Sequence, residues 1–120
     1  MGIFLIKPFH NPARLIHRFR LRACVRDVAG SVLRRGLAPL ANTLRLSDRT
    51  AIQNLQPNEE EVTCDLADRD AISKLTEGTD AIVHFGGAPL ERPWDEILDS
   101  NIRGSYHIYE GARRNGVKRV

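Results

Sequence analysis

Cysteine is scarce in this sequence. Cys24 and Cys64 stand far apart, with no Cys-x-x-Cys, and His10, His17, His84 and His107 show no ligand spacing around them. That excludes a disulfide-stapled mini-domain and gives no metal site; two unpaired thiols suit a reducing cytoplasm. Long apolar runs are missing too. The amino-terminal "GIFLI" is far too short to span a bilayer, no secretory cleavage site follows it, and Ile6 stands where myristoylation requires Ser or Thr. Acid is absent from residues 1–26, which carry five arginines and one lysine. There are no internal repeats and no low-complexity tracts.

What is present fits one domain, or part of one. The chain has 120 residues, 42% of them hydrophobic, enough to bury a real core. Its net charge of +3 hides a split. Residues 1–45 hold nine Lys/Arg against Asp27 alone, a balance of +8, while residues 46–120 hold nine basic and fourteen acidic residues, a balance of −5. A basic half raises the question of nucleic acid, but no interleaved aromatics or helix-turn-helix pattern accompany it. The arginines therefore read as a solvated or irregular segment, with neither nucleic acid nor membrane as partner.

From Gly30 onward the pattern is regular. "GSVLRRGLAPLA" (30–41) predicts a short helix with Val32, Leu33, Leu37 and Leu40 on its apolar side and Arg34 and Arg35 outward, weakened by Gly36 and Pro39. "TLRLSD" (43–48) and "EVTCD" (61–65) read as short strands, each stopping at an acid, with a polar connection between them. Asp68 caps a helix over 67–78 that Gly78 ends, and "DAIVHFGG" (80–87) is a strand covered on both faces. A long helix follows over about 93–115. Pro93 suits its first turn, and Ile97, Leu98, Ile102, Tyr106, Ile108, Tyr109 and Ala112 are its expected buried stripe. "VKRV" (117–120) opens a fourth strand. Alternating strands and helices predict an α/β fold on a parallel sheet.

In such sheets ligands sit beyond the carboxyl ends of the strands. Asp48 lies 18 residues after Gly30, near the offset at which an acid accepts hydrogen bonds from an adenosine ribose, and its charge favours NAD over a 2′-phosphorylated cofactor. It also suits a plain turn. Asp65 ends the next strand, where a carboxylate can accept from an adenine amino group while Leu66 covers the ring; helix capping is the simpler alternative. Gly86 and Gly87 follow a buried strand and permit close backbone approach, or merely a turn. Asn101, a poor helix former inside the long helix, either braces nearby backbone or sits on the surface.

Together, "LRLSD", "CDLAD", "DAIVHFGG" and "LERPWDEILDSNIRGSYHIYEGARRNGVKRV" resemble the extended short-chain dehydrogenase/reductase (NAD-dependent epimerase/dehydratase) superfamily, and more closely its uronate dehydrogenases. The resemblance runs from about Gly30 to Val120. It implies a Rossmann-type parallel sheet, NAD as cofactor, and oxidation of a small sugar acid, a hexuronate, to its lactone. It also implies cofactor-binding roles for Gly30, Asp48, Asp65, Leu66, Phe85, Gly86 and Gly87, with Asn101 supporting the active site. Pro89 departs from the pattern, because a substrate-reaching serine is expected there. A nucleotide-sugar epimerase or dehydratase relative is the neighbouring possibility. A non-catalytic remnant of the NAD fold, acting as a binding or dimerisation module through the 93–115 helix, is another.

Two family features are missing. Neither Tyr106 nor Tyr109 is followed by Lys four residues on, so no catalytic residue is assigned and the expectation is an N-terminal fragment inactive by itself. Counting back from Gly30, the other two glycines of the cofactor loop fall on Asp27 and Cys24, and the first strand on "FRLRA" (19–23). That strand would bury Arg20 and Arg22 unpaired, at several kcal/mol each. Divergence, a transit peptide and out-of-frame text each account for part of this; abrupt onset of the match near Val28 favours the last. The expected organisation is an aberrant basic segment, residues 1–27, ahead of a partial NAD(P)-binding Rossmann domain, residues 28–120.

Overall fold

The slot at the centre of the sheet, between the strands that begin at Thr43 and Ala81, is filled by the apolar run that opens the chain. The computed structural model describes residues 3–7 and 28–120. Its strands are β1 (Ile3–Lys7), β2 (Thr43–Ser47), β3 (Glu59–Glu61) and β4 (Ala81–His84), in the spatial order β3-β2-β1-β4. β2 and β3 are parallel, and β4 runs with them, since β2 and β4 are both antiparallel to β1. The order is that of the first half of a doubly wound sheet. Only the direction of its central strand is reversed.

The physical reason lies in composition. Ile3 and Leu5 are buried against neighbours on both sides, and a central strand tolerates little else. "FRLRA", the segment expected in this slot, lies outside the described residues; the slot itself is held by Ile3–Lys7. Asp27 and Cys24, the positions of the missing glycines, likewise lie outside them.

Each face of the sheet is covered. α1 (Val28–Leu37), extended by a 3-10 turn at Ala38–Leu40, lays Leu33 and Leu37 on Leu44, Leu46 and Ala81. α2 (Arg69–Leu75) and α4 (Gly104–Arg114) cover the other face, where Ile3, Leu5, Cys64, Leu66, Ile72, Leu75, Ile82, Ile108 and Ala112 form the second core. The two helices pack closely at Gly111, where an added Cβ would come 2.9 Å from Thr76 Oγ1. Asn115 ties the end of α4 to α2 by donating to the Ser73 carbonyl and Thr76 Oγ1, both at 2.8 Å.

Several elements differ from expectation. β3 begins two residues before "EVTCD", although the Val62 and Cys64 amides still donate to the Leu46 and Asp48 carbonyls at 2.9 and 3.0 Å. Arg34 does not face outward: its guanidinium donates to both carboxylate oxygens of Glu59, at 2.8 and 2.6 Å, bridging α1 to β3. Burial pushes the Glu59 carboxyl up, but bonds from Arg34 and the Gln56 amide outweigh it and hold the group below its ordinary value. The long helix is α3 (Trp94–Ile97), a π-helical turn at Leu98–Arg103, and α4 in succession. Ile108 and Ala112 are buried as expected, whereas Ile102, Tyr106 and Tyr109 are exposed, because the regular turns of α4 put Tyr106 and Tyr109 on a different face from Ile108 and Ala112. The fourth strand is represented by a parallel bridge from Ala81 to Arg119, with the Ile82 amide donating to the Arg119 carbonyl at 2.9 Å.

Candidate functional site

The carboxyl ends of β2 and β3 meet in a crevice. Asp48 follows β2 directly and is 4% exposed, with the Arg49 amide donating to its Oδ1 at 2.6 Å. Asp65, past β3, is exposed; its Oδ1 accepts from the Ala67 amide at 2.9 Å, and Leu66 beside it is buried. These three, with Ile3, Ser47, Arg49, Cys64 and Ser100, line a cavity of about 20 Å³. Burial, and the charges of Asp68 and Asp65, push the Cys64 thiol up to about 11, so it stays protonated and inert.

Gly86, Gly87 and Asn101 form a second group. Asn101, presented by the π turn, accepts from the Ala88 amide and donates back to the Ala88 carbonyl at 3.1 Å. The side chain thus reads both backbone groups of one residue and pins the loop after β4. Gly87 permits this: its φ is +148°, and an added Cβ would lie 2.6 Å from Asn101 Oδ1. At Gly86 an added Cβ would lie 2.7 Å from Leu66 Cδ1. These glycines admit protein neighbours as closely as they would admit a ligand.

Two expected site residues stand apart. Phe85 packs toward α1, on the face opposite Leu66, and Gly30 is buried in the first turn of α1. Three residues at the crevice went unpredicted. Gly104 seats its backbone against Leu66, where an added Cβ would come within 2.7 Å of Leu66 Cβ. His107 donates from Nδ1 to the Leu66 carbonyl at 2.8 Å, which sets its tautomer. Ile3 sits in the crevice itself. A glycine inside an otherwise regular helix was the available signal for Gly104; nothing in the local sequence announces the other two.

Strands in the order 3-2-1-4, parallel except for the reversed β1, with helices on both faces and acids at consecutive strand ends, define a Rossmann-type α/β domain. The chain belongs to the NAD dependent epimerase/dehydratase family, whose profile residues 28–120 match. A uronate dehydrogenase of Pseudomonas syringae pv. tomato is 56% identical over 92 residues, 76% of this chain and 34% of that protein. Among solved structures, a mutant uronate dehydrogenase from Agrobacterium tumefaciens complexed with NAD is 48% identical, with a TM-score of 0.69 over 72% of this chain and 33% of that one. A glucuronic acid dehydrogenase from Chromohalobacter salexigens is 44% identical, with a TM-score of 0.71 over 75% and 34% of the two chains. The chain spans about a third of the length of the curated relatives it matches.

The residues fit a dinucleotide only in part. Asp48, Asp65 and Leu66 lie together at the carboxyl ends of β2 and β3, the side of such a sheet on which ligands bind. The pyrophosphate end needs a strand that runs into a loop and then into α1 at the crevice. Here β1 leaves the crevice at Lys7, which pairs with Thr43 at the opposite edge, and a cavity of about 20 Å³ holds roughly one water.

Proposed function

We propose that residues 28–120 are a partial nucleotide-binding domain of an NAD-dependent dehydrogenase of hexuronates, working in the cytoplasm, with residues 1–27 a segment of other origin. The observation that carries this is Asp48, a carboxylate buried at the end of β2 beside Asp65 and Leu66, in a chain of this family. Gly30, Phe85, Gly86, Gly87 and Asn101 complete the proposed cofactor side. With no Tyr-x-x-x-Lys pair the chain by itself turns over nothing. The purified chain should bind NAD in the millimolar range by calorimetry, lose that binding in Asp48→Ala, and reduce no NAD when given glucuronate. Micromolar affinity or measurable turnover would overturn this reading.

An exposed apolar face favours a second reading, a non-catalytic module that pairs with another copy. Trp94, Ile102, Tyr106 and Tyr109 along the helix from 94 to 114, and Leu90 in the loop ahead of it, each leave more than half their surface open, from 52% to 69%. Sedimentation velocity showing a concentration-dependent dimer that Tyr106→Glu dissolves, with no response to nucleotide, would select it.

A further inference from the structure

The reversal of β1 has a chemical consequence at its first residue. Ile3 is paired with Ser47 on one side and His84 on the other, so the three side chains form one row across the carboxyl ends of β2 and β4 and the amino end of β1. Directly paired residues in a sheet project to the same face, and here that face is the one covered by α2 and α4. The row ends in the crevice between Asp48 and Leu66. Ile3 is 3% exposed and lines the small cavity together with the two strand-end acids.

The fit around it is poor in a specific way. Ser47 Oγ and His84 Nε2, on either side of Ile3, are both buried and without a hydrogen-bond partner. The sec-butyl side chain of Ile3 can satisfy neither, and unmet buried polar groups penalise the state that contains them. Leu5, two residues along, is wholly buried in the second core and is paired with Arg45 and Ile82 instead. The end of a strand frays more readily than its middle, and here the end is also the part with the worst-matched surroundings.

We propose that Ile3 is a stopper in the adenosine crevice: the tip of β1 withdraws from between Ser47 and His84 to admit the adenosine end of a nucleotide, and paired Ile3 and bound nucleotide exclude one another. This rests on the nucleotide reading above. Withdrawal opens the cavity beside Asp48, Asp65 and Leu66 while Leu5 keeps the sheet closed below. Affinity is then reduced by the fraction of molecules in which the tip is open, and a smaller side chain at position 3 removes that reduction.

The test uses the full chain, with adenosine and NAD as separate probes. Calorimetry on Ile3→Ala should show both probes binding about tenfold more tightly than to the unsubstituted chain, as expected if the tip is open in about a tenth of molecules. In the unsubstituted chain, labelled at isoleucine methyl groups, saturating adenosine should move the Ile3 resonance from its buried position to that of an exposed methyl. Equal, measurable affinities in the two chains, or an Ile3 methyl unmoved at saturation, would overturn the stopper and leave the nucleotide reading standing. Absence of binding by both chains overturns the nucleotide reading, and the stopper with it. If Ile3→Ala fails to fold by circular dichroism, the methyl experiment decides alone.

Discussion

His84 shows how much one side chain's surroundings decide. Its Nδ1 accepts from the Gly86 amide at 3.3 Å, its Nε2 is buried and unpaired, and burial holds its pKa below the ordinary 6.5. The folded chain therefore binds a proton here less readily than the unfolded chain does. By linkage, its contribution to stability is whole above pH 6.5 and declines as pH falls from there toward the depressed value. Urea melts between pH 7.5 and 5 should show stability decreasing with acid in that window. His84→Leu, which cannot titrate, should flatten the slope; an unchanged slope would assign the effect elsewhere. Cys64 and Asp48 make the same point from the other side, since both were legible as residues but only their burial says that the thiol is inert and the carboxylate enclosed.

At the scale of elements, local chemistry predicted best where a helix carries its own signals. Asp68 caps α2 as expected, its Oδ1 accepting from the Asp70 and Ala71 amides at 3.1 and 3.0 Å, and Gly78 follows with a φ of +64°. Asp68→Ala should cost about 1 kcal/mol, read as a shift in the urea midpoint at unchanged m-value; no shift would mean the exposed end of α2 is frayed already. The 93–115 helix was legible in extent and not in rotation. One π turn at Leu98–Arg103 carries Asn101 to Ala88, and Ile102, Tyr106 and Tyr109 lie on the solvent side. At 3.6 residues per turn Tyr106 points away from Ile108 and Ala112, so the expected stripe combined residues of two faces.

For the whole molecule, the centre of the sheet is the decisive feature. Leu5 is fully buried there and bonded through its strand to both neighbours, so Leu5→Ala should cost about 2–5 kcal/mol and lower the melting temperature of the entire chain. A loss below about 1 kcal/mol would mean that β1 is not the central strand. Among the described residues no helix is long and apolar enough to cross a membrane. The charge split also takes spatial form: Arg34 and Arg45, from the basic half, bridge to Glu59 and Glu60 of the acidic half at 2.6 Å each.

The sequence by itself determined the α/β alternation, the acids at the ends of β2 and β3, the cap of α2 and the missing catalytic pair, because each is written in residues close together along the chain. It also showed that no glycine loop precedes α1. What filled the vacant strand position was decided only by the tertiary structure. A slot between two buried strands selects for apolar side chains before it selects for direction, and Ile3–Lys7 meets that demand running the wrong way. From that reversal follow the closed crevice, the unmet Ser47 and His84, and the place of Ile3 between them.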